Sequence, residues 1–388
     1  MQTTKTFNRY RTILLDKLCR RQVPDSQRTE LIEVIMVLIV GILYGLHNPH
    51  QVAQELGIGP KPFYRSLRSL SAAAWRQLLE RLMRQAALER LQQFQQCSAA
   101  TQSRQQASLS IDDTVQKRVG KALSYIWPWY SGQLKRVTRG QDLVGIVLRI
   151  GNEILPLRLI WVSKQGRGPT SKPVVVLKAL QQLKEEFAAH GVDLTELGVS
   201  CDSWWISEDF SRELEGLGFL KQVICGKGHL VLETEQTRQS LQEHRRELEL
   251  QPGWGHEEIP AQRVRGRSPT FGQVAVVFFQ RSRTKAYALL CPGRALRTCE
   301  ALRLWANYHA VEVFWKRLKR WLGLGQMQLP GRDGAWAELA LRGLAYVMAQ
   351  PWLGTTSTPG RLRHQLHRQG TFAELVQAHF HLKDCGIA

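Results

Sequence analysis

The chain has 388 residues, 43% hydrophobic and 22% charged, so it can bury two or three cores and is too apolar to be disordered. Lys and Arg number 53 against 33 Asp and Glu, a net charge of +20. Such an excess favours a polyanionic partner, because each neutralised phosphate releases condensed counterions, although a ribosome-associated or membrane-surface protein shares the same balance.

The seven cysteines (positions 19, 97, 201, 225, 291, 299 and 385) are odd in number and include no C-x-x-C, which argues against a disulfide framework and a zinc ribbon. His379 and His381 form a His-x-His without a partner cluster and read as surface residues. Met1 to Arg21 is polar and basic with no apolar signal region. The longest apolar run, Val34 to Leu46, is shorter than the ~20 residues a membrane helix needs, and predicts a buried core helix. The expectation is a cytoplasmic protein with no membrane partner.

Residues 1–106 read as a helical, basic domain, with 15 Lys and Arg against 7 Asp and Glu. Within it, His50 to Leu70 places Val52, Ala53 and Leu56 on one short helix, Gly57 to Pro60 in a turn, and Phe63, Leu67 and Leu70 on a second. Arg65 and Arg68 project from that second helix. This is the layout of a DNA-binding helix-turn-helix and equally of an αα-hairpin in a bundle. Gln92 to Gln106 reads as a linker.

From Ser108 strands and helices alternate. Leu109 to Ile111 predicts a short strand leading into Asp112 and Asp113. Leu143 to Ile150 and Ile154 to Val162 predict a hairpin about Gly151 and Asn152. Pro173 to His190 reads as a helix burying Val175, Leu177, Leu180 and Leu183. A strand from Gly198 to Cys201 then ends at Asp202, followed by a helix through Phe210 and Leu214 and a strand from Leu220 to Cys225. Residues 226–294 turn polar and β-prone, with Val274 to Gln280 and Ala286 to Cys291 as a hairpin, and predict a β-rich insertion. Residues 295–388 are helical, and the helix from Leu302 to Trp321 carries Glu312. The whole predicts an α/β fold whose order over 107–225 resembles an RNase H-like core, preceded by an all-α DNA-binding domain.

In such a core the first strand, a neighbouring strand and a C-terminal helix deliver Asp112, Asp202 and Glu312. Hard oxygen ligands of this kind bring two Mg²⁺ within ~4 Å, as phosphodiester cleavage requires. Each carboxylate alone has a plainer reading. Asp202 before Ser203 suits a helix cap, and Glu312 suits an ion pair with Lys316. Strand alternation sends Asp112 and Asp113 to opposite faces, so only one of them can face a site.

The surrounding words resemble the insertion-sequence-4-like DDE transposases, the group of cut-and-paste bacterial elements. Ser110 to Thr114 (SIDDT) is similar to that family's hydrophobic-Asp-x-Thr opening, which favours Asp112 over Asp113. Cys201 to Trp205 (CDSWW) is similar to its Asp-x-Trp-aromatic block. Trp305 to Gln326 is similar to its third motif: Glu312 and Lys319 keep the seven-residue spacing, while Trp305 and Tyr308 stand where the family has Tyr and Arg. The resemblance spans about residues 108–330. It implies that Asp112, Asp202 and Glu312 are catalytic and bind two Mg²⁺, with Mn²⁺ as a substitute. It also implies that Lys319 holds a phosphate at the transposon end, and that the partners are duplex DNA (ends and target) and a second copy of the chain; with Tyr308 in place of the family's Arg, a second backbone contact is missing or comes from Arg303 or Lys316.

Of the twelve tryptophans, Trp204, Trp205, Trp254, Trp315 and Trp321 flank this region or the insertion, and Trp127 to Tyr130 reads as an exposed turn. The expected activity is end cleavage followed by joining of 3′ ends to target DNA. Its rivals are a nuclease of the same fold that only hydrolyses, and a non-catalytic DNA-binding regulator.

Overall fold

In the computed structural model, residues 9, 11–14, 25–132, 134–164, 171–248, 259–282, 285–293, 296–353 and 359–380 are described. The apolar run folds as part of helix α1 (Asp25–Tyr44), and every residue from 31 to 43 is buried. A helix apolar on all sides must be wrapped by others, and here α4 (Ala72–Gln95), α10 (Gly331–Leu353), α11 (Pro359–Gln369) and α12 (Phe372–His379) contribute to that core. No single helix among the described residues is long and apolar enough to cross a membrane.

Helices α2 (Pro49–Glu55) and α3 (Lys61–Arg68) form the predicted helix-turn-helix layout, with the Asn48 side chain capping α2 through Gln51 N at 2.9 Å. Phe63 and Leu67 face the core while Arg65 and Arg68 are exposed. The expected linker at 92–106 is instead helical. It comprises the end of α4 and the short α5 (Ala99–Gln105), with Ser98 as N-cap, because Gln and Ala are good helix formers and Pro and Gly are absent.

An eleven-stranded mixed sheet follows. It contains β1 (Ala107–Lys117), β2 (Ile126–Ser131), β3 (Arg136–Ile150), β4 (Glu153–Trp161), β5 (Gly198–Cys201), β6 (Gln222–Cys225), β7 (Val231–Glu233), β8 (Arg238–Ser240), β9 (Ala261–Ser268), β10 (Gly272–Ser282) and β11 (Lys285–Cys291). The order is β2-β3-β1-β5-β6-β11-β10-β9-β7-β8, with β4 also on β3. β1, β5 and β6 run parallel to one another. Because helices cover both faces, β3 is buried from Gly140 to Leu148 and shows no alternation.

Three expectations change here. β1 does not stop at Ile111 but continues to Lys117, so Asp112 and Asp113 lie within a strand. Trp127 to Tyr130 is no turn; it is part of edge strand β2, where Pro128 is tolerated because an edge strand has one unpaired side. The predicted insertion is not set apart, since β11 pairs antiparallel with β6 and extends the central sheet.

Helix α6 (Lys172–Ala188) buries Val176, Ala179, Leu180, Leu183 and Phe187. The buried stripe is thus rotated by one residue from Val175 and Leu177. With α7 (Glu208–Gly216) it covers one face of the sheet. Helix α8 (Leu241–Glu247) lies against β11, where Arg245 Nη1 donates to the Ala286 carbonyl, and helix α9 (Thr298–Arg320) covers the other face, in the core shared by α1–α4 and α10–α12. The N-terminal helices therefore share a core with the C-terminal ones, and residue 106 marks a boundary in sequence, not between cores. The five described cysteines are free; Cys19, Cys385, Trp254 and His381 lie outside the described residues.

Candidate active site

The parallel ladder pairs Ser108 to Ile111 of β1 with Gly198 to Cys201 of β5. One residue beyond this ladder stand Asp112, still within β1, and Asp202, which leaves the end of β5 and caps the turn at Ser203–Trp205. Their face is fixed by the serines two residues earlier. Ser110 Oγ lies 3.1 Å from Ser200 Oγ and donates to the Asn307 carbonyl of α9 at 3.2 Å. Residues two apart on a strand share a face, so Asp112 and Asp202 emerge beneath α9. Gly145, the cross-strand partner of Asp112, lets the helix approach: a Cβ there would lie 2.7 Å from Trp315 Cζ2.

The electrostatics report the same convergence. Burial, then Asp113, Asp202 and Glu312, hold the Asp112 carboxyl well above the usual carboxylate range. Asp202 is raised by burial, partly offset because its Oδ1 accepts from Trp204 N at 2.9 Å. It therefore does act as a cap, while its carboxyl remains beside Asp112. All three carboxylates act on one phenol: Tyr308 is pushed up by burial, then by Asp112, Asp202 and Glu312. Glu312 is largely exposed on α9 and accepts from His309 Nδ1 at 2.9 Å, and makes no pair with Lys316. Lys319, seven residues on, is lowered by burial and pulled back up by Asp112, Asp113 and Asp142. The seven-residue spacing thus brings both side chains to the Asp112 end of the helix face.

Asp113 points the other way. Lys172 Nζ lies 2.6 Å from Asp113 Oδ2 and 2.8 Å from Asp142 Oδ2, and 4.5 Å from the centre of the exposed Trp204 ring. Burial, then Asp113, raise Asp142 to about 7 despite the ammonium. Asp142, Lys172 and His309 escaped the sequence reading. Asp142 lies within an apolar strand next to no motif, and Lys172 opens a helix from the polar side. His309 alone carried a signal, its i,i+3 offset from Glu312 on a helix.

Tyr308 departs from its expected role at the surface. It is 3% exposed and stacked on Trp305 at 4.8 Å, so its ring has no face for DNA. Lys316, Arg65 and Arg68 are exposed. Arg65 and Arg68, with Lys61 and Tyr64, line a shallow surface on α3.

Among the described residues, no three acidic, histidine or cysteine side chains are already gathered tightly enough to hold an ion. The donor chemistry nevertheless fits a hard divalent cation. Two half-buried, mutually repelling carboxylates stand on the sheet, and Glu312, held by His309, adds a third oxygen donor from the helix above them. No family model matches the sequence, and no curated protein matches it.

Proposed function

We propose that the protein is a metal-dependent DNA transposase of RNase H-like architecture, with Asp112, Asp202 and Glu312 as ligands for two Mg²⁺ or Mn²⁺. The observation that carries this reading is the parallel register that sets Asp112 beside Asp202 under the helix bearing Glu312. Bound divalent ions would supply an activated water or 3′ hydroxyl and stabilise the leaving oxygen. The chain's own part is to hold that geometry. The Ser110–Asn307 hydrogen bond and Trp315 over Gly145 fix α9, and hence Glu312, against the sheet. Lys319 brings a cation to the edge of the carboxylates, where it neutralises a neighbouring phosphate. Joining two ends to one target requires two active sites, so the working form is a homodimer on paired ends.

The test uses Asp112→Asn, Asp202→Asn and Glu312→Gln, which keep shape and remove charge. Each should bind duplex DNA at least as tightly as wild type and lose cleavage of labelled DNA in Mg²⁺ by orders of magnitude. A variant that cuts at the wild-type rate removes its residue from the site. A wild-type protein that binds DNA but never cuts in Mg²⁺ or Mn²⁺ makes the chain a regulator. Cleavage without strand transfer makes it a nuclease.

A further inference from the structure

Between Thr114 and Gln141 the chain contains Lys117, Arg118, Lys121, Lys135, Arg136 and Arg139 and no Asp or Glu. Arg118 is buried against Glu338. The other five are exposed, and among the described residues none forms an ion pair. Most of this stretch is the β2–β3 hairpin at the edge of the sheet. Near its tip Tyr130 and Val137, a cross-strand pair, are 60% and 64% exposed. Next to Tyr130, Lys164 sits 4.5 Å above the Trp129 ring and adds a further cation.

An unpaired basic and aromatic edge calls for an occupant. A second copy is a poor one, because Pro128 has no backbone N–H and interrupts the edge that a partner strand would have to pair with. A polyanion fits, since five unpaired cations gain by replacing condensed counterions. The position narrows the choice. Lys117 closes the strand that carries Asp112, five residues or ~17 Å beyond it and, by strand alternation, on Asp113's face, so the basic edge continues outward from the carboxylates.

We propose that the β2–β3 hairpin and the adjoining end of β1 form an arm that grips the sugar–phosphate backbone of duplex DNA, independently of base sequence, outward of the carboxylates along β1 and β3. This rests on reading those carboxylates as a DNA-cleaving site. Cations take the phosphates, and Tyr130 and Val137 offer apolar surface to the sugars.

The experiment is a salt titration of full-length protein on two labelled duplexes of unrelated sequence. It compares wild type with the triple variant Lys135→Ala, Arg136→Ala, Arg139→Ala and with a charge-keeping triple variant, Lys135→Arg, Arg136→Lys, Arg139→Lys. Thermal melts check that all three fold alike. Three lost phosphate contacts should lower the slope of log affinity against log salt by ~2.7 on both duplexes. Between 50 and 200 mM salt the wild type should then lose about 40-fold more affinity than the alanine variant. The charge-keeping variant should follow the wild type. An alanine variant with the wild-type slope overturns the arm, as does tenfold tighter wild-type binding to duplex RNA or to phosphatidylserine vesicles. A wild type that binds no duplex at all removes the arm and the transposase reading together. Amide variants at the carboxylates that still cut, alongside a hairpin-dependent slope, sink the site and leave the arm standing.

Discussion

If Asp112 and Asp202 repel across neighbouring strands, then Asp112→Asn should stabilise the metal-free protein. Two carboxylates on the order of 5 Å apart repel by ~1 kcal/mol in water and ~3 kcal/mol at an effective dielectric of 20. Asp113 and Glu312 add to the same cost. Unfolding entropy of ~2.1 cal/mol/K per residue gives ~0.8 kcal/mol/K for this chain, so the gain corresponds to a Tm rise of ~1–4 °C. The pH dependence follows from the raised folded pKa. Below the unfolded value of ~3.9 the carboxyl is protonated in both states and the variant matches wild type. As pH rises through the folded value, wild type loses stability and the variant does not. Adding Mg²⁺ should reverse the ranking, because an ion at a hundred times its Kd stabilises the wild type by ~2.7 kcal/mol and the variant far less. Differential scanning fluorimetry in chelator and in Mg²⁺, from pH 4 to 8, measures all of this. An Asp112→Asn protein that melts below wild type in chelator at pH 8 would refute the repulsion and, with it, the electrostatic case for a cation.

Three further outcomes follow from the packing. Gly145→Ala should cost ~1–3 kcal/mol and impair DNA cleavage, because its Cβ would meet the buried Trp315 and push Glu312's helix off the sheet; unchanged melting and cleavage would mean that the contact relaxes freely. Arg118 is buried among Gln141, the Gly325 and Met327 carbonyls and Glu338, so Arg118→Met should cost ~3–5 kcal/mol, and the double variant with Glu338→Leu less; a double variant as unstable as the sum of the singles would show no coupling. Burial, then Arg342 and Arg363, hold His47 down at about 4, so the fold favours its neutral form. That stability is present above the unfolded value of ~6.5 and lost as pH falls to 4, by on the order of 2 kcal/mol after allowance for its partial exposure. His47→Gln should flatten the acid limb of the melting profile, and an unchanged limb would assign it to other groups.

Periodicity and spacing made much of this legible. The buried helix, the 143–162 hairpin and the strand ending at Asp202 are patterns that burial imposes on a sequence. Asp112 and Asp202 could be named because each follows an apolar strand and because the words around them, SIDDT and CDSWW, resemble a known family's motifs. What could not be read is whatever depends on partners distant in sequence. The pairing of β11 with β6 turns a supposed insertion into sheet, and the shared core joins helices at opposite ends of the chain. The neutralisation of Asp113 by Lys172 has the same origin, since 59 residues separate them and neither belongs to a recognisable pattern.

The third motif shows how far such reading mixes chemistry with scaffold. Glu312 and Lys319 both act on Asp112, but the Leu-Gly-Leu-Gly-Gln that trails them touches no carboxylate of the site. A Cβ on Gly323 would lie 2.5 Å from His47 Nδ1, and one on Gly325, whose φ is +94°, would lie 2.4 Å from Gln116 Nε2. Gln116 Nε2 donates to the Leu324 carbonyl at 2.6 Å, and Glu338 accepts from Gly325 N at 2.8 Å and Met327 N at 3.2 Å. This loop therefore ties the C-terminal end of α9 to the strand that carries Asp112, through groups with no room for a side chain. Gly323 and Gly325 thus help to hold Glu312 in place, because a helix-borne carboxylate is only as fixed as the end of its helix. A substitution at Gly323 or Gly325 should accordingly disturb the alignment of Glu312 with Asp112 without touching either residue.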